Sequence, residues 1–284
     1  MSQQTASSNL NPQAKQMADE SMVRCLDAQA RAIWPQEAPL LLRYALPAEP
    51  RILDAGCGTG EASSRMAELF PHAQILGVDV IDASLELARQ RFRQLAPRLK
   101  FEHQSIYELS VPEGSFDLTV CRHVIHSIPH ADRVIAELVR VTRPGGHLHL
   151  IAEDYGMLHF QRARLDARDF WHQVPPAFGA ATGTNLFMGR DIFGILAAMK
   201  LEEIRIDYVI VDTLRVPRET FAAIIEAWRD GYADPVAEYT PISREKALDY
   251  FNQMIANIRD PLGYALWLVP VASARVPAGG RNGA

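Results

Sequence analysis

Residues 53–60 read Leu-Asp-Ala-Gly-Cys-Gly-Thr-Gly. They lie between a short apolar run at 51–55 and a stretch at 61–70 whose Ala62, Met66 and Leu69 are spaced for one helix face. A glycine turn between strand and helix lets the backbone approach a ligand closely. Downstream, Asp79 ends a second apolar run, and its carboxylate can accept hydrogen bonds from two ribose hydroxyls. Turn and carboxylate together imply a nucleotide-like cofactor.

The residues around the turn narrow the cofactor. A dinucleotide turn carries glycine at its first, third and sixth positions, whereas here Gly56, Gly58 and Gly60 are followed by Glu61. Asp54 would repel a pyrophosphate lodged at the helix amino end. It suits instead a ligand with an ammonium group and no phosphate, which describes S-adenosylmethionine. LDAGCGTG closely resembles motif I of the class I S-adenosylmethionine-dependent methyltransferases. The resemblance continues through QILGVDV (74–80), FEHQSIYEL (101–109), FDLTVCRHVIHSIP (116–129) and RVTRPGGHLHLI (140–151). It spans about residues 50–155 and is closest to the small-molecule branch that includes quinone-pathway methyltransferases.

That resemblance implies a set of cofactor contacts. Asp54 would hold the methionyl ammonium through backbone or water, and Gly56, Cys57, Gly58 and Gly60 would form the turn. Asp79 would hold the ribose, with Val80 against the adenine ring. Ser105 stands where the family often has an aspartate, and it would meet the adenine edge with Ile106. Cys121 would offer backbone near the methionyl group, and Trp34 or Gln29 would cover the cofactor from the N-terminal helices. S-adenosylhomocysteine would be the product.

The resemblance also implies a doubly wound, mostly parallel seven-stranded α/β sheet with the cofactor at the carboxyl ends of its strands, and the alternation of elements agrees. Strands are expected near 51–55, 74–79, 99–103, 116–121, 146–153, 201–214 and 263–276, the last antiparallel. Helices are expected at 61–70, 82–96, 131–141 and 190–200. Residues 1–14 read as a disordered N-terminus and 15–48 as two N-terminal helices, the second starting at Pro35. Residues 49–284 read as the methyltransferase domain, with two helices at about 217–260 forming a cap or lid between the last two strands. Residues 175–189 read as a loop.

Composition limits the function. The chain has 284 residues, 48% of them hydrophobic, with a net charge of −5 and no basic run, which favours a small-molecule substrate over nucleic acid. No apolar stretch has the length of a membrane span, and the polar start MSQQTASSNLNPQAKQ lacks a signal-peptide core, so a cytoplasmic enzyme is expected. Cys25, Cys57 and Cys121 suggest neither a disulfide framework nor a metal site. A homodimer stays open.

Methyl transfer from a sulfonium needs an aligned nucleophile, and a general base only where that nucleophile must lose a proton. Candidates at the ends of strands four and five are Arg122, His123 and His126, then Glu153, Asp154, Tyr155 and His159. His123 is the favoured base. His126 would act as a second base or organise the loop, and Tyr155 would orient the substrate. Phe160, Phe170 and Trp171 are candidates for an aromatic pocket wall. Two alternatives remain: a non-methylating reaction such as a cyclisation on the same cofactor, and a non-catalytic binding protein.

Overall fold

In the computed structural model, which describes residues 10–279, the apolar runs pair into one sheet. Its strands are β1 (Arg51–Ala55), β2 (Gln74–Asp79), β3 (Leu99–His103), β4 (Phe116–Arg122), β5 (Thr142–Ile151), β6 (Leu158–Phe160), β7 (Glu202–Asp212) and β8 (Ala265–Arg275). β1 lies between β2 and β4, and β3, β2, β1, β4 and β5 run parallel. β8 runs antiparallel to β5, β6 and β7 and joins them. The chain therefore reverses its direction of winding between β1 and β4, where a crevice opens at the strand ends. The short β6 makes eight strands where seven were expected; Leu158–Phe160 extends the edge of β8 that β5 leaves uncovered.

The helices are α1 (Ala14–Met17), α2 (Glu20–Leu41), α3 (Glu61–Leu69), α4 (Asp82–Arg91), α5 (Ala131–Val141), α6 (Ala167–Thr182), α7 (Met188–Ala198), α8 (Arg218–Tyr239) and α9 (Arg244–Arg259). α5 buries Val134, Ile135, Leu138 and Val141 on one face against the β4 and β5 core. α8 and α9 share one core with α2, α6, β7 and β8.

Proline misleads the sequence reading twice. α2 runs unbroken through Pro35 and Pro39, so no second helix starts at Pro35 as was expected. α6 continues through Pro175 and Pro176 to Thr182, where a loop was expected. Each proline withholds one helix hydrogen bond. Burial outweighs that loss: Ala28, Ala32, Ile33 and Leu41 anchor α2, and Phe170, Trp171, Val174 and Phe178 anchor α6. Gly183, with φ 72°, ends α6 in the left-handed conformation.

The expected loose N-terminus also differs from what is found over residues 10–14; residues 1–9 lie outside the described residues. Gln13 is buried. Its Nε2 donates to the Ser127 carbonyl at 3.3 Å, and its Oε1 accepts from the Tyr232 hydroxyl at 2.7 Å. The Tyr107 hydroxyl donates to the Leu10 carbonyl at 3.1 Å. These polar contacts fix a segment whose own sequence is too polar to announce its burial.

Candidate active site

A cavity of about 840 Å³ opens at the carboxyl ends of the central strands. One wall is the glycine turn. Gly56 and Cys57 donate their N–H groups to the Val78 carbonyl at 2.8 and 3.0 Å, tying the turn to β2. Gly56 has φ +75°, and a Cβ there would lie 2.5 Å from Val124 Cγ2. Gly60 has φ +79°, and its Cβ would meet Phe101 Cζ at 2.7 Å. Only glycine fits such positions.

Asp79 closes the same wall. Its Oδ2 accepts from the Gly58 N–H at 2.8 Å, and its Oδ1 accepts from Val80 and Ile81 N–H at 2.7 and 2.9 Å. Burial raises its pKa, and these three donors oppose the rise. An ionised carboxylate offers about four acceptor positions, so capacity remains toward the cavity. Gly56, Gly58, Asp79, Val80, Ser105, Ile106 and Gln29 all line the space. The Ser105 hydroxyl also accepts weakly from Tyr107 N–H at 3.4 Å.

Other expected cofactor contacts stand behind this surface. Asp54 is buried beneath the turn, where Oδ2 accepts from the Ser63 hydroxyl at 2.5 Å. Burial pushes its pKa up to about 6. Gly60, Cys57 and Cys121 are buried outside the lining, and burial raises both thiols, so neither is primed as a nucleophile. Trp34 does not reach the cavity; it packs with the core around Leu41 and Ile52.

The opposite wall carries two histidines and a glutamate. His123, the first residue beyond β4, has φ +60°, in the left-handed region. Its Nδ1 is hydrogen-bonded to Glu153 Oε1, and its Nε2 is buried without a partner among the described residues. His126 Nδ1 lies 2.7 Å from Glu153 Oε2, out of line for a hydrogen bond. Burial acts to raise the Glu153 pKa, but the two imidazoles prevail and hold it well below the usual carboxylate range. His123, His126, Glu153 and Tyr155 all line the cavity.

Behind them, Arg122 donates to both oxygens of buried Glu37 at 2.7 Å. His149 Nε2 lies 3.1 Å from Glu37 Oε1, and Tyr44 Oη lies 2.8 Å from His149 Nδ1. Burial opposes the ionisation of Glu37, yet the Arg122 guanidinium and the hydrogen bond with His149 hold it down at about 2. The network ties α2 to the ends of β4 and β5. Asp154 takes no part in the cavity, because Arg190 clamps its two oxygens at 2.6 Å. His159 and Phe160 also lie off it, whereas Phe170 and Trp171 line an adjoining chamber.

Sequence reasoning missed Met17, Trp228 and Tyr232 as cavity residues. Trp228 and Tyr232 stand one turn apart on α8, a spacing that core packing produces equally well.

Residues 52–146 match the family described as a methyltransferase domain. Among curated relatives, trans-aconitate 2-methyltransferase of Deinococcus radiodurans is 39% identical over 109 residues, covering 38% of this chain and 40% of that protein. Demethylmenaquinone methyltransferase of the same organism is 33% identical over 101 residues, covering 36% of this chain and 42% of that one. The match thus spans about two-fifths of the length of these relatives. Among solved structures, that of the [4+2]-cyclase SpnF aligns with a TM-score of 0.56 and 24% identity, over 86% of this chain and 81% of that one; it shows a shared fold. Residues 52–146, about a third of the chain, therefore carry a methyltransferase domain on the parallel part of the sheet.

Proposed function

We propose that the protein transfers a methyl group from S-adenosylmethionine to a small molecule whose accepting atom carries a proton. One observation carries this reading: His123, whose buried Nε2 has no partner among the described residues, lines a cavity whose other wall is the glycine turn and Asp79. The turn leaves no space for a Cβ, Asp79 keeps acceptor capacity, and Asp54 adds negative charge beneath. That set fits an adenosyl ligand bearing ammonium and sulfonium groups. Bound S-adenosylmethionine would supply an electrophilic methyl whose leaving group is a neutral thioether, so no acid is required.

The chain's own task is then orientation and removal of one proton. Glu153 on Nδ1 fixes the His123 ring in the tautomer that leaves Nε2 as a base. As the acceptor forms its bond to the methyl carbon, its proton passes to Nε2. The resulting imidazolium faces the Glu153 carboxylate, which stabilises it. Such general-base assistance contributes about 10²–10⁴-fold.

We place the enzyme in the cytoplasm. All three cysteines are free and buried, and no helix among the described residues is long and apolar enough to cross a membrane. The test pairs calorimetry with mass spectrometry. Tight binding of S-adenosylmethionine, with acceptors in a cell extract gaining one CH₂ unit and equimolar S-adenosylhomocysteine appearing, is the expected result. Turnover without S-adenosylhomocysteine would reassign the protein to a non-methylating reaction, and no binding of either compound would reject the proposal.

A further inference from the structure

We infer that the acceptor is an uncharged, planar aromatic alcohol with a hydrogen-bond-accepting oxygen remote from its hydroxyl, and that acceptors bearing carboxylate or phosphate groups are excluded. That this ligand accepts the methyl group rests on the methyl-transfer reading; the binding preference does not. Three independent features support it.

The first is charge. Arg122 is the sole Lys or Arg among the described residues of the main cavity wall, and Glu37 engages its guanidinium through two hydrogen bonds. His123 and His126 both face Glu153, so any positive charge they carry is already opposed. At the cofactor end stand Asp79, Glu108 and His103, the last held 2.7 Å from Asp82. An anion entering this space would lose its hydration and find no free counter-charge.

The second is shape. A chamber of about 50 Å³, lined in part by Gln13, adjoins the main cavity and shares Tyr155, Trp228 and Tyr232 with it. The Tyr155 and Trp171 rings stack at 5.5 Å with an interplanar angle of 6°. Trp228 stands edge-on to both, at 5.6 and 6.2 Å. His126 stands edge-on to Tyr155 at 5.7 Å, so the aromatic surface begins beside Glu153 and its two histidines and leads away from them. Aromatic walls set in parallel and perpendicular planes favour a flat π-surface.

The third is an unmet donor. Trp171 is 5% exposed, walls the chamber, and its Nε1–H has no partner among the described residues. Buried indole N–H groups ordinarily find an acceptor. The nearby polar atoms are engaged with one another, since the Tyr232 hydroxyl donates to Gln13 and Gln13 donates to Ser127. A carbonyl or ring oxygen on the ligand would satisfy the indole.

The probes are 7-hydroxycoumarin, which is neutral and planar with a carbonyl opposite its hydroxyl, and 7-hydroxycoumarin-3-carboxylate, which adds one negative charge. Fluorescence titration of the full chain, with and without S-adenosylhomocysteine, should show the neutral compound binding about tenfold more tightly or better. Trp171→Phe keeps the ring and removes the donor; it should weaken the neutral compound by about three- to tenfold while leaving S-adenosylhomocysteine affinity unchanged. Met17→Arg supplies the missing cation and should reverse the preference. Equal or tighter binding of the carboxylate by the unaltered chain would overturn the inference, as would Trp171→Phe binding the neutral compound as before. Separate calorimetry with S-adenosylhomocysteine keeps the two readings apart: its failure removes methyl transfer, while the coumarin preference still decides the nature of the chamber.

Discussion

The two walls of the cavity are made differently. The cofactor wall, residues 51–108, is a backbone construction: three positive-φ glycines, N–H groups on Asp79 and a turn tied to β2. The acceptor wall is assembled from side chains that meet only in the folded chain. Met17 comes from α1, His123 and His126 from beyond β4, Glu153 and Tyr155 from beyond β5, Trp171 from α6 and Trp228 from α8. A backbone site is written in a few consecutive residues. A side-chain site is free to change chemistry while the fold stays, and the matched region 52–146 stops before most of it.

The sharpest way to separate the walls is His123→Asn. Asparagine tolerates the left-handed backbone that His123 adopts but cannot take the proton. The turnover number should fall by about 10²–10⁴-fold. S-adenosylmethionine affinity, measured by calorimetry, should stay as it was, because the glycine turn and Asp79 are untouched. Loss of both together would erase the distinction between the walls. Gly56→Ala attacks the other side. A left-handed non-glycine residue costs about 1–2 kcal/mol, and overpacking on Val124 costs roughly 1–3 kcal/mol more. Thermal unfolding should shift down accordingly, and S-adenosylmethionine binding should weaken with it. Binding of 7-hydroxycoumarin to the folded variant should persist.

Asp54 links stability to function on the cofactor side. Burial raises its pKa from 3.8 to about 6, so the folded state holds this proton more tightly than the unfolded chain. The contribution to stability is complete below about pH 4 and is lost as pH rises through 6. Above that, the buried charge disfavours the fold by about 3 kcal/mol. Asp54→Asn should therefore raise the stability of the ligand-free protein by up to about 3 kcal/mol at pH 8, with the gain vanishing below about pH 4. Its affinity for S-adenosylmethionine should drop, since the charge that burial disfavours is the one that complements the ligand. Denaturant titrations at both pH values, with and without the ligand, check each half.

The same contrast explains what could be read from the sequence. Each strand from β1 to β5 was legible, because apolar runs bounded by turn residues specify buried parallel strands locally. The glycine turn and Asp79 were legible because close approach to a ligand admits few residues. Pro35 and Pro175 misled, since whether a helix survives a proline depends on distant packing partners such as Phe221 and Trp228. Glu153 was visible as a strand-end carboxylate. Its placement on both His123 and His126 needed the register of β4 against β5, in which Arg122 sits beside Ile151. Trp34 and Gln29 lie on one helix and were indistinguishable until its packing face was known; Gln29 lines the cavity and Trp34 does not.

Gln13 gives the smallest test and the one that reaches furthest into the acceptor wall. It is buried, and it joins α1 to the Ser127 carbonyl and to the Tyr232 hydroxyl of α8. Gln13→Ala removes two neutral hydrogen bonds, each contributing about 0.5–1.5 kcal/mol. Little of that should register as global stability, because residues 10–17 contribute few groups to the principal core. It should register instead as looser closure over the aromatic chamber: a several-fold weaker hold on 7-hydroxycoumarin, faster amide exchange at residues 10–17, and unchanged affinity for S-adenosylhomocysteine. An equal loss for both ligands would mean that the N-terminal segment serves the cofactor wall as much as the acceptor wall, and the division of the cavity would have to be redrawn with α1 spanning both.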